Sequence, residues 1–191
     1  MEKPDSQTTV DLSQFCAGEE GFRHHLSKPF SRAGYTWATD GKILVRVPIR
    51  DDVPDVDGAP HTERVWSDPK GNFVPVRAFH IPEPERMRCD VCDGRGTEHD
   101  CPDCTCKCDQ CDGWGQMEEA TFVSIGDGPT IQRRYAVKLM TLPGLEVEVP
   151  DPTIVRMHFR FIGGEGIAML MRPGYQRTIV ADLLKGCAVN V

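Results

Sequence analysis

Cys89-Asp-Val-Cys92-Asp-Gly94-Arg-Gly96 and Cys108-Asp-Gln-Cys111-Asp-Gly113-Trp-Gly115 are two copies of one pattern, C-x-x-C-x-G-x-G. A C-x-x-C pair brings two thiolates from one tight turn to the same metal. The glycines permit positive φ, which lets backbone N–H groups turn toward the sulfurs. Two such knuckles supply four thiolates, enough to close a tetrahedral Zn²⁺ site. The expected ligands are Cys89, Cys92, Cys108 and Cys111. This spacing is a zinc signature rather than a pattern of scattered free thiols.

The residues between the knuckles leave two readings open. His99, Cys101, Cys104 and Cys106 offer four ligands for a second zinc ion, although Cys104 and Cys106 are only two residues apart. Alternatively these thiols stay free or exchange with the first site. The spacings match no ferredoxin run, which places an iron–sulfur cluster behind zinc. The C-x-x-C-x-G-x-G units resemble the cysteine-rich domain of DnaJ-type co-chaperones over residues 86–116. That family carries four full repeats, whereas this chain has two and an altered middle. It also has no His-Pro-Asp and hence no J domain. The resemblance therefore implies the zinc knuckle and not co-chaperone activity.

Outward from the knuckles, the chain of 191 residues is long enough for one domain with an insertion. Its net charge of −7 argues against a dedicated nucleic-acid coat, and an aromatic content of 7% offers no stacking platform for single strands. No apolar run reaches membrane-spanning length, so no membrane partner is expected. The stretch from Met1 to Ser6 has no apolar signal region. Nine cysteines, mostly clustered, suit a reducing compartment with metal, so a cytoplasmic protein is expected. Cys16 and Cys187 read as small apolar residues.

The flanks read as strands. Tyr35–Thr39 and Ile43–Ile49 surround Asp40-Gly41, a hairpin signal. Residues 50–88, rich in Pro and Asp, read as loop with one strand at Phe73–Phe79. After the knuckles come a strand over Glu119–Gly126, a turn, and a helix from Ile131 to Leu142 with Thr130 as N-cap. That helix stops at Pro143-Gly144. Leu145–Val149 and Ile154–Phe161 alternate, and Gly163–Gly166 reads as a turn before Ile167–Met171. A short helix near Glu19–Leu26 would give the first half the same strand–helix–strand–strand–strand plan. His24 and His25 within it read as solvated.

This doubled half-unit, Ala38-Thr39-Asp40-Gly41, and the run from Gly164-Glu-Gly166 to Met169-Leu-Met171-Arg172 resemble one domain of a DNA polymerase sliding clamp, over residues 8–83 and 117–172. Lys42-Ile43 and Leu170 depart from that family's usual residues. The resemblance implies an α+β fold class: a single discontinuous clamp-like domain at 1–83 and 117–191, with the zinc unit inserted at 84–116. It implies work in DNA replication or repair through protein contacts, with homo-oligomers as in clamp rings. A chain with one such domain leaves the ring itself open.

The helix residues Arg133, Arg134 and Lys138 are the candidate DNA contacts, weak and sequence-independent. Arg156, His158 and Arg160 share a strand face that reads as solvated, with phosphate binding as the alternative. The zinc unit is acidic, so its metal reads as structural. Trp114 is expected to pack on its own knuckle, the alternative being display to a protein partner. No nucleophile elbow, P-loop, zincin or Rossmann pattern occurs, and His99 lacks the deaminase context. The expected protein is therefore not an enzyme. The other readings are a chaperone-like adaptor that binds polypeptide through the zinc unit, and a thiol oxidoreductase.

Overall fold

The computed structural model describes residues 10–18, 26–55, 59–97, 106–111, 113–149, 155–171 and 178–188, without the side chains of Glu63, Cys187 and Ala188. It divides into two units, residues 1–81 with 122–191, and residues 82–121. The strands in chain order are β1 (Phe30–Arg32), β2 (Tyr35–Thr39), β3 (Ile43–Pro48), β4 (Phe73–Pro75), β5 (Arg86–Arg88), β6 (Gln116–Glu118), β7 (Thr121–Ser124) and β8 (Thr130–Gln132). After helix α1 (Arg133–Met140) come β9 (Glu146–Glu148), β10 (Arg156–Phe161), β11 (Gly164–Met169), β12 (Thr178–Asp182) and β13 (Cys187–Ala188).

Seven strands form one sheet in the order β1-β2-β3-β11-β10-β9-β4, and four form a second in the order β13-β12-β7-β8. Strands from before and after the knuckles thus share one sheet, joined where β3 pairs antiparallel with β11, Ile43 opposite Ala168. The class is α+β. Among the described residues α1 is the one α-helix, and the doubled half-unit is not shown, because most of the helix expected at Glu19–Leu26 lies outside the described residues, His24 and His25 included.

Alternation explains the layers. On β10, Met157, Phe159 and Phe161 enter the main core, which also takes Ala38, Ile43 and Val45 from the neighbouring strands and Tyr135, Ala136 and Leu139 from α1. The opposite face carries a smaller cluster of Phe30, Trp37, Leu44 and Ala59, with Tyr35 and Trp66 against it. There Arg46 lies 3.6 Å over the Trp66 ring and 4.3 Å over that of Tyr35, while its Nε donates to Glu165 at 2.9 Å. A stacked and paired guanidinium closes this face without an unpaired charge.

Three boundaries differ from expectation. Thr130 is not an N-cap: it pairs across β8 with Ser124 and exchanges backbone bonds with Met171, so α1 starts at Arg133. Gly164 and Gly166 are not turn residues but lie within β11, opposite Phe161 and Phe159. A Cβ on Gly166 would stand 2.2 Å from the Phe159 ring and 2.5 Å from the Leu44 carbonyl oxygen, so these glycines make room for the aromatic rings crossing from β10. The strand after Asn72 is only Phe73–Pro75, since Pro75 interrupts it. Beyond the expected elements, β12 and β13 join β7 and β8 in the second sheet.

The loop before β4 is tied to the sheet by a buried pair. Glu148 accepts from the backbone N–H of Lys70 and of Gly71 and, at 2.6 Å, from His158 Nδ1. His158 Nε2 faces the Ser67 carbonyl at 2.7 Å. Burial alone would raise the Glu148 carboxyl. The Gly71 amide, His158 and the Lys70 amide outweigh burial and hold it below the usual carboxylate range.

Two stability predictions follow from this packing. Gly166→Ala should cost about 3 kcal/mol in urea unfolding by overpacking, whereas Gly18→Ala, whose added Cβ meets nothing within 4 Å, should stay within about 0.5 kcal/mol. Because the folded Glu148 carboxyl titrates below its unfolded value, its contribution is complete above about pH 4.3 and is lost as pH falls through the lowered value. Glu148→Gln should cost about 3 kcal/mol at pH 7 and flatten the loss of stability in acid, as measured by denaturation across pH 2–7.

Candidate metal centre and docking groove

The two knuckles pack as a pseudo-two-fold pair. Cys89 N–H donates to the Gly115 carbonyl and Cys108 N–H to that of Gly96, both at 2.9 Å. Gly94 N–H closes back on Cys89 and Gly113 N–H on Cys108. Arg88 pairs with Gln116 on β5 and β6, and Thr97 bridges Lys107 at the other end. Even the cover is duplicated, since the Arg88 side chain lies over Gly94 and that of Lys107 over Gly113.

The interlock is tight enough to exclude side chains. A Cβ on Gly96 would lie 2.3 Å from the Gly113 oxygen, and one on Gly115 would lie 2.3 Å from the Gly94 oxygen. All four of these glycines have positive φ, as the sequence pattern requires.

Cys89, Cys92, Cys108 and Cys111 are buried, and their Sγ atoms lie within 4.8 Å of one another. The Cys89–Cys108 and Cys92–Cys111 separations are 3.9 and 3.7 Å. Four sulfurs about 2.3 Å from one central ion in a tetrahedron stand about 3.8 Å apart, so the cluster fits a metal of zinc's dimensions. Gly96 N–H and Gly115 N–H point at Cys92 and Cys111 Sγ at 3.3 and 3.2 Å, donors that favour thiolate.

Thiols this close do not ionise independently. Burial would raise Cys92, but the Gly96 amide and the neighbouring thiols bring it down to about 7. Cys108 is pushed up by burial to about 11. A cation at the centre removes that conflict, and with all four positions taken by sulfur it leaves none open for substrate.

Of the second ligand set, His99, Cys101 and Cys104 lie outside the described residues, and Cys106 is exposed. Trp114 does not pack on its knuckle: it is 83% exposed. Cys16 is half-buried, its thiol pushed up to about 11 by burial.

On α1 the three basic residues part company. Arg133 donates to the Ile81 carbonyl at 3.3 Å. Arg134 is exposed and reaches the Tyr135 hydroxyl, and Lys138 lies 5.7 Å above the Tyr135 ring. Tyr135 in turn donates to Asp40 at 2.9 Å, tying the Asp40-Gly41 hairpin to the helix. Burial and then Asp40 push its hydroxyl up to about 12. The strand face on β10 is not a free basic surface, since His158 is buried and Arg160 pairs with Glu146 while lying 4.5 Å over Phe73.

No family model, no curated protein and no solved structure matches the chain. Among the described residues no helix is long and apolar enough to cross a membrane.

Two features were not visible in the sequence. Ser67, His158 and Glu148 stand in the order of a hydrolase triad, with Ser67 Oγ 3.2 Å from Nε2. That nitrogen faces the Ser67 carbonyl more closely and so serves as donor, not as base. Glu146 and Glu148 beside Arg156, His158 and Arg160 were the one signal, acids and bases alternating on strands able to pair. The second feature is a groove of about 300 Å³ walled by Thr39, Lys42, Ile43, Ile167 and Met169, with Pro60, Thr62 and Val65 along its side. The Thr62 hydroxyl is buried and has no hydrogen-bond partner among the described residues.

The site predicts three outcomes. Cys92→Ser should leave less than one tightly held metal ion per chain by elemental analysis. Gly96→Ala should lose its ion to a chelator faster than wild type. Chelation of the wild type should abolish amide-exchange protection in 82–121 while β3, β10 and β11 stay protected.

Proposed function

We propose that this chain is a non-enzymatic docking module of the sliding-clamp type, acting in DNA replication or repair chiefly through protein contacts, and that its knuckle unit holds Zn²⁺ as a structural ion. The observation that carries this reading is the groove. The two stretches that resemble clamps, Ala38–Gly41 and Gly164–Arg172, are distant in sequence, yet Thr39 and Gly41 from the one and Ile167 and Met169 from the other line the same groove, brought side by side by the pairing of β3 with β11. The lining is largely apolar, with Val65 and Met169 well exposed. About 300 Å³ is the small end of ligand sites, suited to one or two apolar side chains of an extended peptide. The Thr62 hydroxyl beside the groove is buried and has no hydrogen-bond partner among the described residues, which costs the protein stability.

DNA is the secondary contact in this reading. Exposed Arg134, with Lys138 one turn further on, offers charge to phosphate, and a chain of −7 overall needs several copies around a duplex to hold it. Zinc at the knuckles is supported by four sulfurs at tetrahedral spacing, soft ligands that select it over the hard cations.

The reading is tested with peptides selected from a random library on the full chain. They should share an apolar position and lose at least tenfold in affinity to Met169→Glu. Thr62→Val should raise stability by about 1 kcal/mol, by removing a buried hydroxyl that finds no partner among the described residues. Peptides that bind Met169→Glu as well as wild type would show that the groove is not the docking site.

A further inference from the structure

Residues 82–121 hold eleven of the chain's 29 carboxylates and only four of its 22 Lys and Arg. Eighteen of each sign remain elsewhere, so the whole net charge of −7 sits on the knuckle unit. A four-thiolate centre holding a divalent cation makes that unit more negative still.

The same unit displays an aromatic side chain that its fold does not use. The pseudo-two-fold equates Trp114 with Arg95. Both follow a positive-φ glycine, and both donate their backbone N–H to the second cysteine of their knuckle, Arg95 to Cys92 at 3.0 Å and Trp114 to Cys111 at 2.9 Å. Arg95 also folds back, its Nε donating to the Cys92 carbonyl at 2.9 Å. Trp114 stands out at 83% exposure. Since arginine serves the equivalent position in the first knuckle, folding does not explain tryptophan in the second.

Trp114 lines a cleft of about 330 Å³ with Arg86, Gln116, Met117 and Glu118. The Arg86–Glu118 pair there is exposed and 3.6 Å apart, too loose to keep Glu118 from a competing cation. A cleft lined by an indole, a methionine and a carboxylate suits a long aliphatic side chain ending in positive charge, which would displace Arg86 from Glu118. An exposed tryptophan is also the side chain most able to anchor an interface.

We propose that the knuckle unit is a docking platform for a Lys/Arg-rich polypeptide segment, with one cationic side chain lying on Trp114 against Glu118 and the surrounding carboxylates steering the approach. Sign excludes nucleic acid as the occupant, and a second copy would bring the same negative charge. None of the residues lining this cleft lines the groove beside Thr39, Ile43 and Met169, and the proposal does not rest on that groove.

The test measures binding of fluorescent 12-residue peptides, one alternating Arg and Gly and one alternating Glu and Gly, to the zinc-loaded full chain at low and physiological salt. The cationic peptide should bind, more weakly at higher salt, and the acidic peptide should not. Trp114→Arg copies the first knuckle and should keep its metal, yet weaken the cationic peptide tenfold or more. Glu118→Gln should weaken it severalfold, and Met169→Glu should leave it unchanged. Equal affinity of wild type and a metal-loaded Trp114→Arg, or binding of the acidic peptide as tight as the cationic one, would overturn the proposal. So would binding of neither peptide, or preference for duplex DNA.

Discussion

The knuckle unit depends on two missing side chains. Gly96 and Gly115 each bring the backbone so near the opposite knuckle that a Cβ would stand 2.3 Å from a carbonyl oxygen. Only at that approach can the Cys89 and Cys108 amides cross to the other knuckle and the Gly96 and Gly115 amides reach sulfur. The four thiols are then gathered by backbone geometry into a cluster that a metal of zinc's size would close. Among the described residues the apolar core here is small, Met117 packing against the four cysteines. A unit of this size with so small a core needs such a staple.

The sheet unit is built on the opposite economy. Its main core is large, and its glycines serve aromatic packing instead of metal. Gly164 and Gly166 lie under the rings of Phe161 and Phe159, and β11 thereby sits close enough to pair with both β3 and β10. The outer face is closed by Arg46 among three aromatic rings and by the His158–Glu148 pair, which hold the loop between β3 and β4. This closed outer face, together with β3 and β11, leaves the groove as an apolar slot beside the Thr62 hydroxyl, which has no partner among the described residues.

How much of this the sequence disclosed varies with the range of the interaction. Local chemistry was legible: the C-x-x-C-x-G-x-G units, the strands around Asp40-Gly41, and the helix from its four-residue spacing, although it ends at Met140, short of the expected stop at Pro143-Gly144. Gly164 and Gly166 misled because a glycine needed for a turn and one needed beneath a phenylalanine look alike along the chain. Thr130 misled because its bond to Met171 outcompetes a cap. Glu148 with His158, and Arg46 with Glu165, depend on which strands become neighbours, and alternation does not fix strand order. The exposure of Trp114 could be judged only once Arg95 was seen in the matching place.

The claim on which the account rests is a closed four-thiolate metal centre. X-ray absorption at the zinc edge of the purified chain tests it most directly. The account predicts one ion per chain with four sulfur neighbours at about 2.3 Å and no oxygen or nitrogen in the first shell. Three or fewer sulfurs with an oxygen or nitrogen ligand would mean an open site with a different purpose. A metal-free chain whose residues 86–97 and 106–118 keep their protected backbone would contradict the account outright.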